Sequence, residues 1–269
     1  IKNGVKLHDG LLVESVLIPT ETRTTACVSS QVGCSLNCEF CATAKLKRMR
    51  NLEVAEIVDQ VALIDKQSRL YFDRPLSNIV FMGMGEPMMN YKNVVEAIRK
   101  ITQPDGLGMS PRRITVSTSG IPKMIKMLAD EDLKVKLALS LHSAIEEKRN
   151  EIMPFSSNFP LTDIIEALQY WYSKTGSVIT LEYCIWKGIN DKDEDIKALI
   201  KFCKKVPTKV NLIEYNSIGN GKYDRSNPEA TENYVRQLEK NGITTMIRRS
   251  RGGDIDAACG QLANKIAEA

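Results

Sequence analysis

The opening stretch, VKLHDGLLVESVLIP, alternates apolar and polar residues and is interrupted at Asp9-Gly10. Alternation with a period of two marks strands, and an Asp-Gly pair between two such runs marks a hairpin turn. From about residue 26 the rhythm changes. Short apolar runs at 26–30, 78–82, 113–117, 136–141, 178–185 and 209–214 predict strands, and a further strand is read at 244–248. Amphipathic helical patterns fall between them, at about 53–68, 92–102, 122–130, 162–175 and 192–205, with a terminal helix near 256–268. Pro122 suits a first helical turn, and Thr162 and Asn227 read as N-caps. Gly176 and Gly242 follow helical stretches where left-handed caps belong.

Strands alternating with helices argue for parallel β/α units with right-handed crossovers. Six such strands are too few to close an eight-fold barrel, so a partial barrel and an open doubly wound sheet both fit. No linker or low-complexity stretch interrupts the chain. Residues 1–25 therefore read as an N-terminal β-hairpin extension and 26–269 as one compact domain.

Composition narrows the class without naming a chemistry. The 269 residues are 43% hydrophobic and 26% charged, the balance of a globular protein rather than a disordered or collagen-like one. No apolar run approaches the roughly 18 residues of a membrane span, and no signal peptide opens the chain. The chain starts at Ile1 rather than Met, so it reads as a piece of a longer protein. Net charge is only +4, too weak to announce a nucleic-acid partner. Local clusters say more: Lys45, Lys47, Arg48 and Arg50; Arg112 and Arg113; Arg248, Arg249 and Arg251. Each is compatible with a plain solvated face, and each also permits contact with RNA phosphates.

The seven cysteines change the picture most. Their number is odd and four lie within fifteen residues, which suits metal or catalytic use in a reducing compartment better than a disulfide framework. Cys34, Cys38 and Cys41 follow the first β/α strand at C-x3-C-x2-C spacing, so one loop offers three thiolates to a single centre. Two site types fit. Three thiolates on a [4Fe-4S] cluster leave one iron free for a substrate or cofactor. A zinc site or a fully ligated cluster takes a fourth thiol, from Cys27 or Cys259.

With Phe40 as the aromatic, C-x3-C-x-aromatic-C resembles the signature of the radical S-adenosylmethionine (SAM) superfamily. That resemblance implies a partial (βα)6 TIM-like barrel, a [4Fe-4S] cluster on Cys34, Cys38 and Cys41, and SAM cleaved to a 5′-deoxyadenosyl radical. Met82-Gly83-Met84-Gly85-Glu86-Pro87, ending the second strand, is similar to the superfamily's loop for the SAM amino group, which implicates Gly85 and Glu86. Ser117, Ser140, Leu141, His142 and Asn216 all stand at strand C-termini, the face where β/α barrels carry their sites, and are candidate SAM contacts.

Cys27 lies in CVSSQVGC and Cys259 in DIDAACGQL. Together they resemble the radical SAM RNA adenine methyltransferases that methylate carbon 2 of adenosine in 23S rRNA and tRNA. A sister branch methylates carbon 8; Gly85-Glu86-Pro87 is closer to the carbon-2 branch. The resemblance runs from Glu14 to Leu262, and the family's N-terminal helical RNA-binding domain has no counterpart here. It implies two SAM per turnover, an S-methylcysteine at Cys259, a resolving thiol at Cys27 and a proton acceptor at Glu14. It also implies a flavodoxin-type reductant, a monomer and a cytoplasmic setting.

Taken without the resemblance, Glu14 reads as an exposed edge-strand carboxylate. Cys259 reads as a thiol near the start of the last helix, where a lowered pKa favours nucleophilicity. Cys184 and Cys203 match no motif and are assigned to strand core and helix packing. Two other readings stay open: a zinc-stabilised RNA-binding module without catalysis, and a radical SAM enzyme for a small molecule or peptide.

Overall fold

In the computed structural model, which describes residues 1–264, one nine-stranded sheet forms the body of the protein. Strands β1 (Lys2–Lys6) and β2 (Leu12–Pro19) form the expected hairpin, turning at Gly10, whose φ of +83° is left-handed. β2 continues antiparallel onto β3 (Thr24–Cys27). From β3 onward every neighbour is parallel: β4 (Asn78–Phe81), β5 (Ile114–Thr118), β6 (Lys136–Ser140), β7 (Ile179–Ile185), β8 (Thr208–Glu214) and β9 (Thr245–Arg248). Parallel strands share one C-terminal end, so their loops gather at one mouth. A short ladder between Gln31–Val32 and Arg50–Asn51 closes the first of those loops on itself.

Helices cover the sheet between strands: α1 (Val54–Phe72), α2 (Tyr91–Thr102), α3 (Pro122–Asp130), α4 (Glu146–Ile152), α5 (Leu161–Thr175), α6 (Asp193–Cys203) and α7 (Pro228–Lys240). Every residue of β7 is buried, as expected for a parallel strand covered on both faces. α1 shows the logic of the cover. Ile57, Val61 and Ile64 are spaced to lie on one face and are fully buried. Each contributes about 1.5–3 kcal/mol by leaving water.

Pro122 opens α3, Asn227 caps α7 by accepting the Ala230 N–H at 2.9 Å, and Gly176 ends α5 at a φ of +63°. Two sequence expectations fail. The N-cap of α5 is Pro160, and Thr162 lies inside the first turn with its hydroxyl on Asp163. The terminal helix is absent over 256–264, while 265–268 lie outside the described residues. Asp256, Gly260 and Asn264 are all left-handed there, which breaks any helical run into turns. α4 was not visible in the sequence because EEKRNEI offers a single aliphatic residue, Ile152, at its end.

Candidate active site at the barrel mouth

The three-cysteine loop leaves β3 and folds back tightly. Cys34 N–H donates to Leu46 O at 3.3 Å, and Cys41 N–H to Cys38 O at 3.1 Å. Cys34 is buried, and Cys38 and Cys41 are partly so. Burial pushes the Cys34 thiol up to about 11 and the Cys38 thiol well above its ordinary value, with Cys41 also raised. After burial, Cys41 and then Cys34 raise the Cys38 thiol. Three thiols close together in one desolvated loop are costly to ionise unless a thiophilic cation takes the charge. That donor chemistry fits an iron–sulfur cluster. Among the described residues no three His, Cys, Asp or Glu side chains form a set for one metal ion, which a cluster bonding each thiol to a separate iron does not require.

Phe40, between Cys38 and Cys41, meets His142 edge-on at 4.8 Å and Trp186 at 5.1 Å. These rings join a small apolar cluster with Ile152, Met153, Cys184, Tyr215 and Tyr223, separate from the main core. Cys184 is therefore packing, as expected, and Cys203 is buried on α6. His142 has a left-handed φ of +56° and accepts the Cys184 N–H on Nδ1 at 3.1 Å. Burial, then the nearby Arg149, push its pKa down to about 3, so the ring is neutral and carries its proton on Nε2.

The loop after β4 approaches the cysteine loop as closely as backbone allows. A Cβ on Gly83 would meet Val28 O at 2.7 Å, and one on Gly85 would meet the Gln31 side chain at 2.5 Å. This close approach sets Glu86. Its N–H donates to Gln31 Oε1 at 2.9 Å, and its buried carboxylate accepts Ser119 N–H at 2.8 Å and Met88 N–H at 3.1 Å. Burial raises its pKa, against those hydrogen bonds. Ser117 is the penultimate residue of β5, Ser140 ends β6, and Leu141 is fully buried just beyond. Arg149, missed in the sequence along with α4, is 1% exposed and donates from Nη2 to Ser119 O at 2.5 Å. Desolvation lowers its pKa to about 10. Asn216 follows β8 and holds the Cys259 segment, donating to Cys259 O at 3.4 Å.

Cys27 and Cys259, 232 positions apart in sequence, are both carried to this mouth, Cys27 at the end of β3 and Cys259 on a segment bonded to the cysteine loop. Cys27 ends β3 and is buried; burial and then Cys259 push its thiol up to about 12, opposed by Arg248. Cys259 is exposed, and among the described residues no helix N-terminus lies behind it. Its segment is instead fastened from several sides. Ala42 N–H donates to Gly260 O at 2.7 Å, Thr43 Oγ1 to Leu262 O at 2.6 Å, and Gln261 Nε2 to Ser217 O at 3.0 Å. A cleft of about 540 Å³ opens beside it, lined by Asn216, Arg225, Asp256 and Gln261.

Sequence reasoning also missed Glu182 on β7. Its Oε1 accepts Asn211 Nδ2 at 3.0 Å, and its Oε2 has no hydrogen bond, with Arg248 Nη1 3.7 Å away. The only clue was an acidic residue inside an apolar strand run. Arg248 stands beside it, its pKa raised by nearby Cys259 and, against burial, by Glu182 and Cys27. Glu14 corrects the reading of an exposed edge carboxylate. β2 lies between β1 and β3, and Glu14 is wholly buried, 2.8 Å from Lys2 Nζ and accepting Ala263 N–H on Oε2 at 2.9 Å.

The sequence matches the Radical SAM superfamily over residues 28–203. It is 69% identical over 265 residues to the "Probable dual-specificity RNA methyltransferase RlmN" of Flavobacterium psychrophilum, covering 98% of this chain and 76% of that protein. The dual-specificity RNA methyltransferase RlmN of Geotalea uraniireducens is 43% identical over 265 residues, covering 98% and 75%. Among solved structures, a radical SAM methyltransferase from Sphaerobacter thermophilus superposes with a TM-score of 0.95 at 39% identity, over 97% of this chain and 76% of that one. A Streptococcus suis protein bound to S-adenosylmethionine shares the fold, with a TM-score of 0.62 at 15% identity over 86% of this chain and 51% of that one.

Proposed function

Because the chain belongs to the radical SAM superfamily and, within it, to the RlmN dual-specificity RNA methyltransferases, we propose that it methylates carbon 2 of an adenosine in 23S rRNA or tRNA. The cofactors of this family are a [4Fe-4S] cluster and SAM. When bound, the cluster supplies the single electron that cleaves SAM to a 5′-deoxyadenosyl radical. Cys34, Cys38 and Cys41 would hold it, and Glu86, Ser117, Ser140, His142 and Asn216 would orient SAM around it.

The observation that supports the finer reading is that Cys27, at the end of β3, and the Cys259 segment, bonded to the cysteine loop through Ala42 and Thr43, share one mouth. Carbon 2 of adenine is electron-poor, so direct transfer of a methyl cation is unfavourable there. An exposed Cys259 thiolate can instead take the methyl group of one SAM by displacement, releasing S-adenosylhomocysteine. A second SAM, cleaved with the cluster bound, would supply the hydrogen-atom acceptor that makes the Cys259 methyl carbon reactive toward carbon 2. Glu14 then accepts the proton leaving carbon 2. The unpaired electron left after addition to carbon 2 would return to the electron-transfer system that reduces the protein. Cys27, as thiolate, would attack the Cys259 sulfur, forming a disulfide and releasing the base, whose methylene carbon takes up a proton to become the new methyl group. Arg248 lies where it can favour the Cys27 thiolate this last step needs. A flavodoxin-type donor, a monomeric state and a cytoplasmic setting belong to the same reading.

The test uses reconstituted protein, SAM, a reductant and RNA, followed by mass spectrometry of the nucleosides. Expected are 2-methyladenosine from wild-type protein and a covalent RNA–protein adduct from Cys27→Ala. Finding 8-methyladenosine instead would move the chain to the sister branch. An unmodified Cys259 in cluster-loaded protein would remove the S-methylcysteine route.

A further inference from the structure

The three cationic clusters of the sequence have different fates in the fold. Arg112 and Arg113 precede β5, at the end of the sheet opposite the mouth, and Arg113 donates to Ser77 O. Arg248 is drawn inward onto Glu182, and Arg251 donates to Pro19 O. Arg50 is held between Asp9 at 2.6 Å and Glu56 at 2.7 Å. Its three neighbours are different. Lys45, Lys47 and Arg48 are exposed, and none of them makes an ion pair among the described residues.

Their position makes that freedom informative. They follow Cys41 directly, on a segment closed by Cys34 N–H donating to Leu46 O and by Met49 N–H donating to Val32 O at 2.9 Å. The same segment is bound to the Cys259 strap through Ala42 to Gly260 and Thr43 to Leu262. A run of uncompensated charge is thus fixed beside an exposed thiol. Met49, next in the run, is 62% exposed and offers an apolar face to a stacked base. Backbone closure and hydrogen bonds hold the run in place, so little ordering entropy is lost when a polyanion binds.

We propose that Lys45, Lys47 and Arg48 form the phosphate-binding rail along which the RNA strand is led to Cys259. The proposal rests on the reading of the chain as an RNA methyltransferase and names the surface that reading leaves open. Cations here would neutralise backbone phosphates and fix the strand's register without reading its sequence.

The test compares Lys45→Ala/Lys47→Ala/Arg48→Ala with Lys201→Ala/Lys204→Ala/Lys205→Ala. The second triple removes the same charge from exposed positions around the end of α6. The probe is a fluorescein-labelled RNA hairpin with an unpaired adenosine in its loop, titrated over a range of salt. The first triple is expected to bind about tenfold more weakly. Its log-affinity against log-salt slope should flatten by about 2, from three single-strand contacts at about 0.7 each. The second triple should match wild type, and both should keep wild-type circular dichroism and thiol count.

Equal losses in the two triples would reduce the effect to net charge and overturn the rail. So would unchanged RNA binding in the first triple, including the case where reduction by an acidic electron carrier slows instead. No RNA binding by wild-type protein would overturn the rail together with the RNA reading, whereas binding that survives the first triple overturns the rail alone.

Discussion

Two halves of the barrel mouth handle buried charge in different ways. On the side of β4 to β6, Glu86 and Arg149 are closed in by their own chain. Both Glu86 oxygens accept backbone N–H groups, and Arg149 bonds Ser119 O and lies 3.5 Å from Ser140 O. On the side of β3, β7 and β9, Glu182 keeps an oxygen without a hydrogen bond, Arg248 touches it only at 3.7 Å, and Cys259 faces outward. In the first half both charged groups are tied to backbone, although Arg149 Nε and Ser119 Oγ are buried there without a partner. The second is left loose where thiols have to change partners. Rigidity is thus spent on orientation, and slack is kept for covalent exchange.

Removing the centre of the first half should cost most. Arg149→Ala deletes a fully buried side chain and strips a partner from Ser119 O, so a loss of about 3 kcal/mol in urea unfolding is expected. A loss below about 1 kcal/mol would show that this half is not the rigid one. The loose half should respond in reactivity rather than in stability. Arg248→Met with Glu182→Gln removes both charges at once and should leave stability within about 1 kcal/mol. Alkylation of Cys27 at pH 9 should slow by about threefold or more, because its thiolate loses a neighbouring cation. In wild-type protein without metal, exposed Cys259 should label well before buried Cys27. A large loss of stability with unchanged labelling would reverse the contrast.

The smallest effect calibrates both. Arg50, by its hydrogen bonds, holds the Glu56 carboxyl below its ordinary range. A depressed folded-state pKa adds stability above the unfolded value, and that stability is lost as pH falls through the folded one. Acid titration of unfolding below about pH 4.5 should therefore destabilise wild type more than Arg50→Met, with the Glu56 share under about 1 kcal/mol.

The strand-and-helix rhythm was legible because each parallel strand is a short apolar run and most helices present a clear apolar face. The cysteine loop was legible because its spacing is local. Arg149 was not, because α4 has almost no apolar face to announce it. Glu182 and Arg248 lie 66 residues apart and become partners only when β7 and β9 flank β8. The end of the chain misled for a related reason. Residues 256–264 carry a helix-like apolar pattern, but long-range bonds to Thr43, Ser217 and Glu14 and three left-handed residues hold them as a strap. A wholly buried Glu14 could not be inferred from a strand that looked like an edge.

The bond from Ala263 to Glu14 spans 249 residues, and that from Leu262 to Thr43 spans 219. Contacts of such separation form late, after most of the chain has been made. During synthesis the hairpin and the cysteine loop emerge well before residues 256–264 and stand uncovered until that strap leaves the ribosome. The order of translation therefore sets a period in which the three thiols are most open to delivery of iron and sulfide, and access narrows when the strap seats. A mutation that weakens the strap would lengthen that period and prolong exposure of the loop to oxidation.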